Sequence, residues 1–375
     1  MAYSTKTQIY KVDSERPDPE IITLAAKMLI DGKLIAFPTE TVYGLGANAF
    51  DSIAIDHIFE AKERPSSDPI IVHINQLKQV FDVAINIPDI AWEIADIFWP
   101  GPLTLILERN LKVPSNVSAG LNTVAIRMPS HITPQQLIKS SGVPIAAPSA
   151  NLFTRPSPTT AEHVYSDLKN RVDIILDGGP CTIGIESTVV DLTEETPVLL
   201  RPGGTSLESL RQIIPNIKLL PKYLKLGNSA THSISPGMLS KHYSPKAKLL
   251  LFSGCRSDSI KKMIRFSYLL TSNGISVGVM IPQEYRAYFN EVPVAMKLLG
   301  SQGNLFQISH NLFAGMRELD KKRIDVILVR ELGFEGLGLA IWDRLVRASD
   351  GLIINSSENK LLTLKIKNYV DTVIS

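Results

Sequence analysis

From Pro215 to about Lys246 the chain shows neither helical nor strand periodicity, and this interruption organises everything else. Pro, Gly, Ser and Lys accumulate in PKYLKLGNSATHSISPGMLSKHYSPK. An irregular segment this long is either a flexible tether or a functional flap. On both sides of it strand and helix signals alternate, the pattern of α/β architectures. The sequence therefore reads as two α/β domains, 1–214 and 248–375, joined by a linker over 215–247. The length of 375 residues agrees, at about 150 residues per domain.

Upstream of the interruption, Asp18-Pro19 opens a helix with an N-cap and a proline in the first turn. Ile22, Ala25, Met28 and Leu29 give it an apolar face, and Gly32 ends it. Leu34–Phe37 is a short buried strand. Asp51 starts a second helix, which carries Ile55, Ile58 and Phe59 inward and stops at Pro65. Gln76 to Phe98 reads as mostly helical, broken near Pro88. Further strands are predicted at Pro69–Ile74, Leu103–Leu107, Val124–Met128, Pro144–Ala147, Val172–Leu176, Thr188–Leu192 and Val198–Leu200. Thr205 and Glu208 make a capping-box pair. Several strands in succession predict a mixed sheet. Downstream, strands at Lys248–Phe252, Ile275–Ile281, Ile324–Val329 and Gly351–Ile354 accompany a helix from about Asn304 to Leu319, a compact Rossmann-like α/β domain.

Charge and cysteine content bound the partners. Lys+Arg minus Asp+Glu is 39 − 37 = +2, too small a surplus for stable nucleic-acid binding through bulk charge. Cys181 and Cys255 cannot build a disulfide framework or a thiolate metal site. The start, MAYSTKTQIYKVDSERPDPE, has no apolar stretch of signal-peptide type. No apolar run approaches the roughly 18 residues that would span a bilayer. A cytoplasmic location and no membrane partner are expected.

The common nucleotide signatures are missing. There is no GxxxxGK[ST]. GLGANA at Gly44–Ala49 matches GxGxxA by letters, yet Thr39–Tyr43 separates it from the preceding strand, where a dinucleotide site wants the glycines in the strand-to-helix turn. Gly336 and Gly338 read as tight-turn glycines ahead of the helix-like LAIWDRLVRAS. The seven histidines show no close pairing of a zinc site. What remains is polar residues at strand ends. FPTETVYGLGAN places Thr39, Glu40, Thr41 and Tyr43 beyond a buried strand, and AKERPSSDP places Lys62 and Arg64 at a helix end before Asp68. VAIRMP puts Arg127 in an apolar strand, where it needs an anionic partner from the protein or from a ligand. APSANLFTRPSPT offers Ser149, Asn151 and Ser157, GIESTVVDL offers Glu186 and Ser187, and LLRPGG ends a strand with Arg201. Basic groups and hydroxyls without a nucleophile–base pair suit binding of a nucleotide and an amino acid better than covalent catalysis.

FPTETVYGLGAN, AKERPSSDPIIVH, WPGPLT, VAIRMP, PIAAPSAN with RPSPT, GIESTVVDL and LLRPG occur in the order found in the YrdC/Sua-type threonylcarbamoyl-AMP synthases, which the chain resembles over essentially its whole length. SPGMLSKHYSP and GLGLAIWDRLVRASDG resemble the interdomain segment and C-terminal domain of the longer members. The resemblance implies an N-terminal YrdC-like twisted mixed sheet with helices and a smaller Rossmann-like C-terminal domain. It also implies a nucleotidyltransferase that makes L-threonylcarbamoyladenylate and pyrophosphate from L-threonine, bicarbonate or CO2, and ATP with Mg²⁺ held mainly by the phosphates. A downstream transferase would pass the threonylcarbamoyl group to the adenosine beside the tRNA anticodon.

By the same resemblance, Lys62, Arg64, Ser149 and Asn151 match the polar signature around the nucleotide phosphates. Thr39 or Thr41, His73, Arg127 and Ser187 match threonine positions, and Ala147 stands where some members place a threonine, leaving only a backbone contact. Thr123, Ser157, Arg201 and Tyr243 match the ATP side, and Asp68 stands where the family often has asparagine. SPGMLSKHYSP is expected to fold over the nucleotide as a lid. Two other classes compete: an RNA-binding module of the same shape without catalysis, and an NAD enzyme using GLGANA or the C-terminal domain.

Overall fold

The protein is described by a computed structural model covering residues 4–220 and 242–355. Most of the interdomain segment, and with it the lid expectation, lies outside the described residues. The first block runs β1 (Gln8–Lys11), α1 (Pro19–Ile30), β2 (Ile35–Phe37), β3 (Gly44–Asn48), α2 (Ser52–Lys62) and β4 (Ile71–His73). It continues with a 3-10 turn (Leu77–Gln79), α3 (Val80–Val83), β5 (Ala84–Ile85), α4 (Asp89–Phe98), β6 (Leu103–Arg109) and β7 (Thr123–Arg127). Then come α5 (Ile132–Ser141), β8 (Ile145–Ala146), α6 (Ala161–Leu168), β9 (Ile174–Asp177), β10 (Thr188–Asp191), β11 (Val198–Arg201), α7 (Leu207–Ile213) and β12 (Lys218–Leu219).

The helix starts follow the capping chemistry. Asp18 accepts the Glu20 amide at the head of α1, and Asp51 accepts the Ile53 and Ala54 amides at the head of α2. Helix α7 starts one residue later than its capping-box signature suggests, because Ser206, not Thr205, accepts the Ser209 amide. Thr205 instead holds the sheet, its carbonyl accepting from Thr188 Oγ1 at 2.6 Å. The expected long helix after Gln76 is broken earlier than Pro88 by β5, which pairs with the edge of β6.

The twelve strands of this block, counted among the described residues, form one sheet in the order β1-β9-β2-β3-β8-β4-β7-β6-β10-β11-β12, with β5 beside β6. It is mixed, as expected: β2/β3, β3/β8, β4/β8, β6/β7 and β10/β11 are antiparallel, and β1/β9, β2/β9, β4/β7, β6/β10 and β11/β12 are parallel. The sheet reaches Leu219, five residues past the boundary drawn at 214. GLGAN is a strand and not a phosphate loop. A Cβ at Gly46 would lie 2.6 Å from Phe37 Cε1 and 2.7 Å from Ile145 Cγ2, so glycine is there to let β2 and β8 close on β3.

The second block is β13 (Lys248–Ser253), α8 (Arg256–Ser272), β14 (Val277–Ile281), β15 (Ala295–Leu298), α9 (Leu305–Lys321), β16 (Val326–Arg330), α10 (Gly338–Ala348) and β17 (Ile353–Asn355). Its five strands among the described residues are all parallel, in the order β15-β14-β16-β13-β17. Leu249 and Leu251 pack to one face with α9 and α10, while Leu250 and Phe252 pack to the other with α8. Burial on both faces explains the unbroken apolar run of β13. The Gly336 and Gly338 turn keeps its amides within the protein, Gly338 donating to Glu335 O at 2.8 Å.

The two blocks share a core. Val42, Ile183 and Ile185 of the first pack with Ile308, Leu312 and Ile341 of the second. Gly184, at φ +81, makes this possible: a Cβ there would sit 2.5 Å from His310 Cα in α9. Arg317 in α9 pairs with Asp167 in α6 at 2.6 Å, both nearly inaccessible, and Arg155 pairs with Asp320 at 3.0 Å.

Candidate active site

The sheet order sets β2, β3, β8, β4 and β7 side by side. His73, last in β4, is paired in register with Arg127, last in β7, and with Ile145 in β8. Because β2 and β8 both run antiparallel to β3, the turn after β2 and the loop after β8 leave the sheet at one end, where Gly44 bridges Ser149. β8 also runs antiparallel to β4, so that loop starts beside Ile71 and His73 lies at the other end of β4. A cleft-like cavity opens between these loops and the residues of β4 and β7. Thr39, Thr41, His73 and Arg127 line it together with Ala147, Ser149 and Ser187, and so do Arg64, Arg201 and Tyr243. Ten residues singled out from the sequence thus meet around one space.

Arg127 is 3% exposed, and every nitrogen of its guanidinium is engaged. Nε donates to Gly101 O at 3.2 Å, Nη1 to Thr41 Oγ1 at 2.9 Å, and Nη2 pairs with Glu40 Oε1 at 2.5 Å. The anionic partner that the buried arginine demanded is thus a protein carboxylate. Thr39 braces the turn, its hydroxyl donating to Val42 O and accepting from the Thr41 and Val42 amides. Beside it, burial pushes His73 down to about 3, aided by the Arg127 charge, so its imidazole is neutral. His73 Nδ1 is buried with no hydrogen-bond partner among the described residues. Ser187 Oγ shares a hydrogen bond with Thr104 at 2.8 Å, and Arg201 Nη2 reaches Ser187 O at 2.9 Å and its Oγ at 3.2 Å.

Five expected residues do not line the cavity. Lys62 is 1% exposed and caps the backbone of the loop after β8, donating to Ser149 O and Asn151 O. Burial, then the nearby Arg64 charge, holds its ammonium well below the usual lysine range. Asn151 is turned inward and donates to Leu152 O and Arg155 O, while its Oδ1 accepts from Ser149 Oγ at 2.6 Å. Asp68, where the family often has asparagine, pairs with Arg64 at 2.8 Å. Ser157 donates to Oε1 of Glu186, which does line the cavity. Thr123 is at the opposite end of β7 from Arg127, about 13 Å away at strand rise.

Glu186 and His242 also line the cavity, although the sequence assigned neither a role there. Glu186 was visible in GIESTVVDL, but its partner, Arg344, is 158 positions away. His242 stands in SPGMLSKHYSP, a stretch without periodicity to orient it. Its ring packs edge-on to Tyr243, 4.3 Å between centroids, and to Phe153. Burial, and then the charges of Arg64, Arg347, Lys62 and Arg201, hold it well below the usual histidine range. Among the described residues no group of three His, Cys, Asp or Glu side chains forms a metal cage, and no helix is long and apolar enough to cross a membrane.

The neutral histidines predict a pH response of the fold. His163, also mainly through burial, is held at about 4. Unfolded histidines titrate near about 6.5, so below that pH the unfolded chain binds protons that native His73, His163 and His242 refuse. Stability is complete above about pH 6.5 and is lost as pH falls toward the folded values, by up to about 1.4 kcal/mol per unit for each histidine. Unfolding at pH 5 should take up about two protons through His73 and His163, and more through His242 and His131, which burial also holds down, read by calorimetry in buffers of different ionisation heat. Uptake near zero would show that these rings are already charged in the native protein.

Residues 27–203 match the family model described as Telomere recombination, the Sua5/YciO/YrdC domain, and residues 205–350 match the one described as Threonylcarbamoyl-AMP synthase, C-terminal domain. A threonylcarbamoyl-AMP synthase of Pyrococcus abyssi is 44% identical over 91% of this chain and 97% of its own, and one of Bacillus subtilis is 43% identical over 90% and 95%. A crystal structure of P. abyssi Sua5 complexed with L-threonine superposes with a TM-score of 0.88 at 42% identity, covering 93% of this chain and 99% of that one.

Proposed function

The chain belongs to the threonylcarbamoyl-AMP synthase family, and from that premise we propose that its cavity joins L-threonine, bicarbonate or CO2, and ATP into threonylcarbamoyl-AMP with release of pyrophosphate. The product supplies the threonylcarbamoyl group for tRNA modification through a separate transferase. The observation that carries the proposal is the lining of a single cavity by Arg127 with Thr39, Thr41 and His73 and, with them, by Arg64, Arg201 and Ser149. One set suits an amino-acid carboxylate and hydroxyl, the other a chain of phosphates.

In this mechanism Arg127 holds the threonine carboxylate, and the unpartnered Nδ1 of His73 meets the threonine hydroxyl. A site that hydrogen-bonds a hydroxyl rejects analogues lacking it, since its own polar group is then left buried and unpaired. The neutral amine adds to CO2 to give a carbamate, its nitrogen releasing one proton to solvent. A carbamate oxygen then bonds to the α-phosphorus of ATP while the bond to the bridging oxygen of pyrophosphate breaks. Because a carbamate is already an anionic nucleophile, no strong protein base is required. The protein aligns the reactants and offsets the charge that grows on the leaving group, through Arg64 and Arg201. Mg²⁺ would travel on the phosphates, since Glu40, Asp68 and Glu186 are each tied to an arginine; its chemistry there is charge neutralisation.

Incubation with ATP, Mg²⁺, bicarbonate and single amino acids, followed by mass spectrometry, tests this. Pyrophosphate and the mixed anhydride should form with threonine and fall by at least about tenfold with valine. Pyrophosphate release that does not depend on an amino acid would overturn the proposal. Steep weakening of RNA affinity with salt, without any turnover, would favour the RNA-binding reading instead.

A further inference from the structure

Arg344 belongs to the C-terminal domain, in α10, and has no exposed surface. A buried arginine needs its donors met; Nε and Nη1 are met, while Nη2 has no hydrogen-bond partner among the described residues. Here Nε donates to Glu186 Oε2 at 2.7 Å, and Nη1 donates to Pro202 O at 2.8 Å and Asp343 Oδ2 at 2.7 Å. Its guanidinium carbon lies 5.4 Å from the centroid of the Tyr243 ring, within cation–π range. Asp343 also accepts from Arg347 Nε at 3.0 Å. Arg344 does not line the cavity, but Glu186 and Tyr243 do, and Pro202 follows Arg201, which does too.

We infer that Arg344 is a positioning residue of the catalytic cavity, through which the C-terminal domain neutralises Glu186 and fixes Tyr243 in the wall facing the triphosphate. The inference rests on the reading of the cavity as the ATP and threonine site. The reason is electrostatic. Glu186 is 7% exposed, and its Oε1 has only the neutral Ser157 hydroxyl. Without Arg344 that carboxylate would stand uncompensated in the wall of a site that takes a polyanion. Its repulsion acts on the nucleotide far more than on threonine, whose contacts are with Arg127.

The test compares wild type, Arg344→Met, Arg344→Lys and the double variant Arg344→Met/Glu186→Gln. Thermal melting, calorimetry with ATP and Mg²⁺, and threonine-dependent pyrophosphate release are the readouts. Arg344→Met should raise the ATP KM and Kd by at least about tenfold, the scale of a lost buried charge partner, with a smaller change in threonine KM. Arg344→Lys, which keeps the charge, should be intermediate. The double variant should recover most of the ATP affinity, because it removes the stranded charge. A role limited to clasping the domains would lower the melting temperature and leave the double variant no better than the single one, which overturns the inference, as would an unchanged ATP KM in Arg344→Met. Wild-type protein that binds ATP but shows no threonine-dependent turnover would instead overturn the synthase reading, with the calorimetry still deciding the role of Arg344.

Discussion

Arg127→Met should reduce kcat/KM for threonine by about 100- to 1,000-fold, the cost of losing a two-point charge-assisted contact to a buried carboxylate. It should also destabilise the protein by about 3–5 kcal/mol, since Glu40 keeps its charge in a buried place with its ion partner gone. The pair is at 2.5 Å, with side-chain exposures of 4% and 9%. The two effects are separable. Adding Glu40→Gln to Arg127→Met removes the stranded charge and should restore most of the urea midpoint without restoring turnover. Recovery of turnover along with stability would mean that Arg127 serves only the fold.

Lys62→Met should lower turnover by at least about 100-fold and stability by about 3 kcal/mol together, because two hydrogen bonds from a charged donor are lost and the carbonyls of Ser149 and Asn151 lose that donor. Lys62 acts through this loop: Ser149 lines the cavity and the lysine itself does not. Steady-state kinetics and urea denaturation on the same preparation decide the matter. Lost turnover with a wild-type midpoint would show that the ammonium reaches the phosphates directly, which is how a helix-end lysine followed by arginine looks in sequence alone.

That contrast marks where the sequence stops being legible. Strong local signals carried through: the N-caps Asp18 and Asp51, the apolar strands Leu103–Leu107 and Lys248–Phe252, and a mixed sheet followed by a parallel one. So did the electrostatic demand of Arg127, although the sequence left open whether a protein or a ligand carboxylate would answer it. The motifs also converge on one candidate cavity, because the sheet order brings their strands side by side. They did not tell which side chains of a motif face the cavity. Ser149 faces it while Asn151, two residues on, is spent on the loop's own backbone, and Thr123 shares a strand with Arg127 but ends at its other edge. Short edge strands such as β1, β12 and β15 carry too little apolar pattern to show, and GLGAN is a strand because of what packs on Gly46. Contacts such as Glu186 with Arg344 join distant segments and leave no local trace.

On the proposed reading of Arg127 as the holder of the substrate carboxylate, Glu40 gives the amino-acid site a rival of its own. Tethered to the same turn as Thr41, it presents its carboxylate to Arg127 at the high effective concentration of an intramolecular partner. An incoming amino acid must therefore take Arg127 from Glu40, and its affinity is the difference between two similar bonds. Acetate and other small acids, with nothing to offer but a carboxylate, lose that exchange. Threonine wins it only by adding what its hydroxyl and methyl contribute, so discrimination begins at the carboxylate, before the side chain is read.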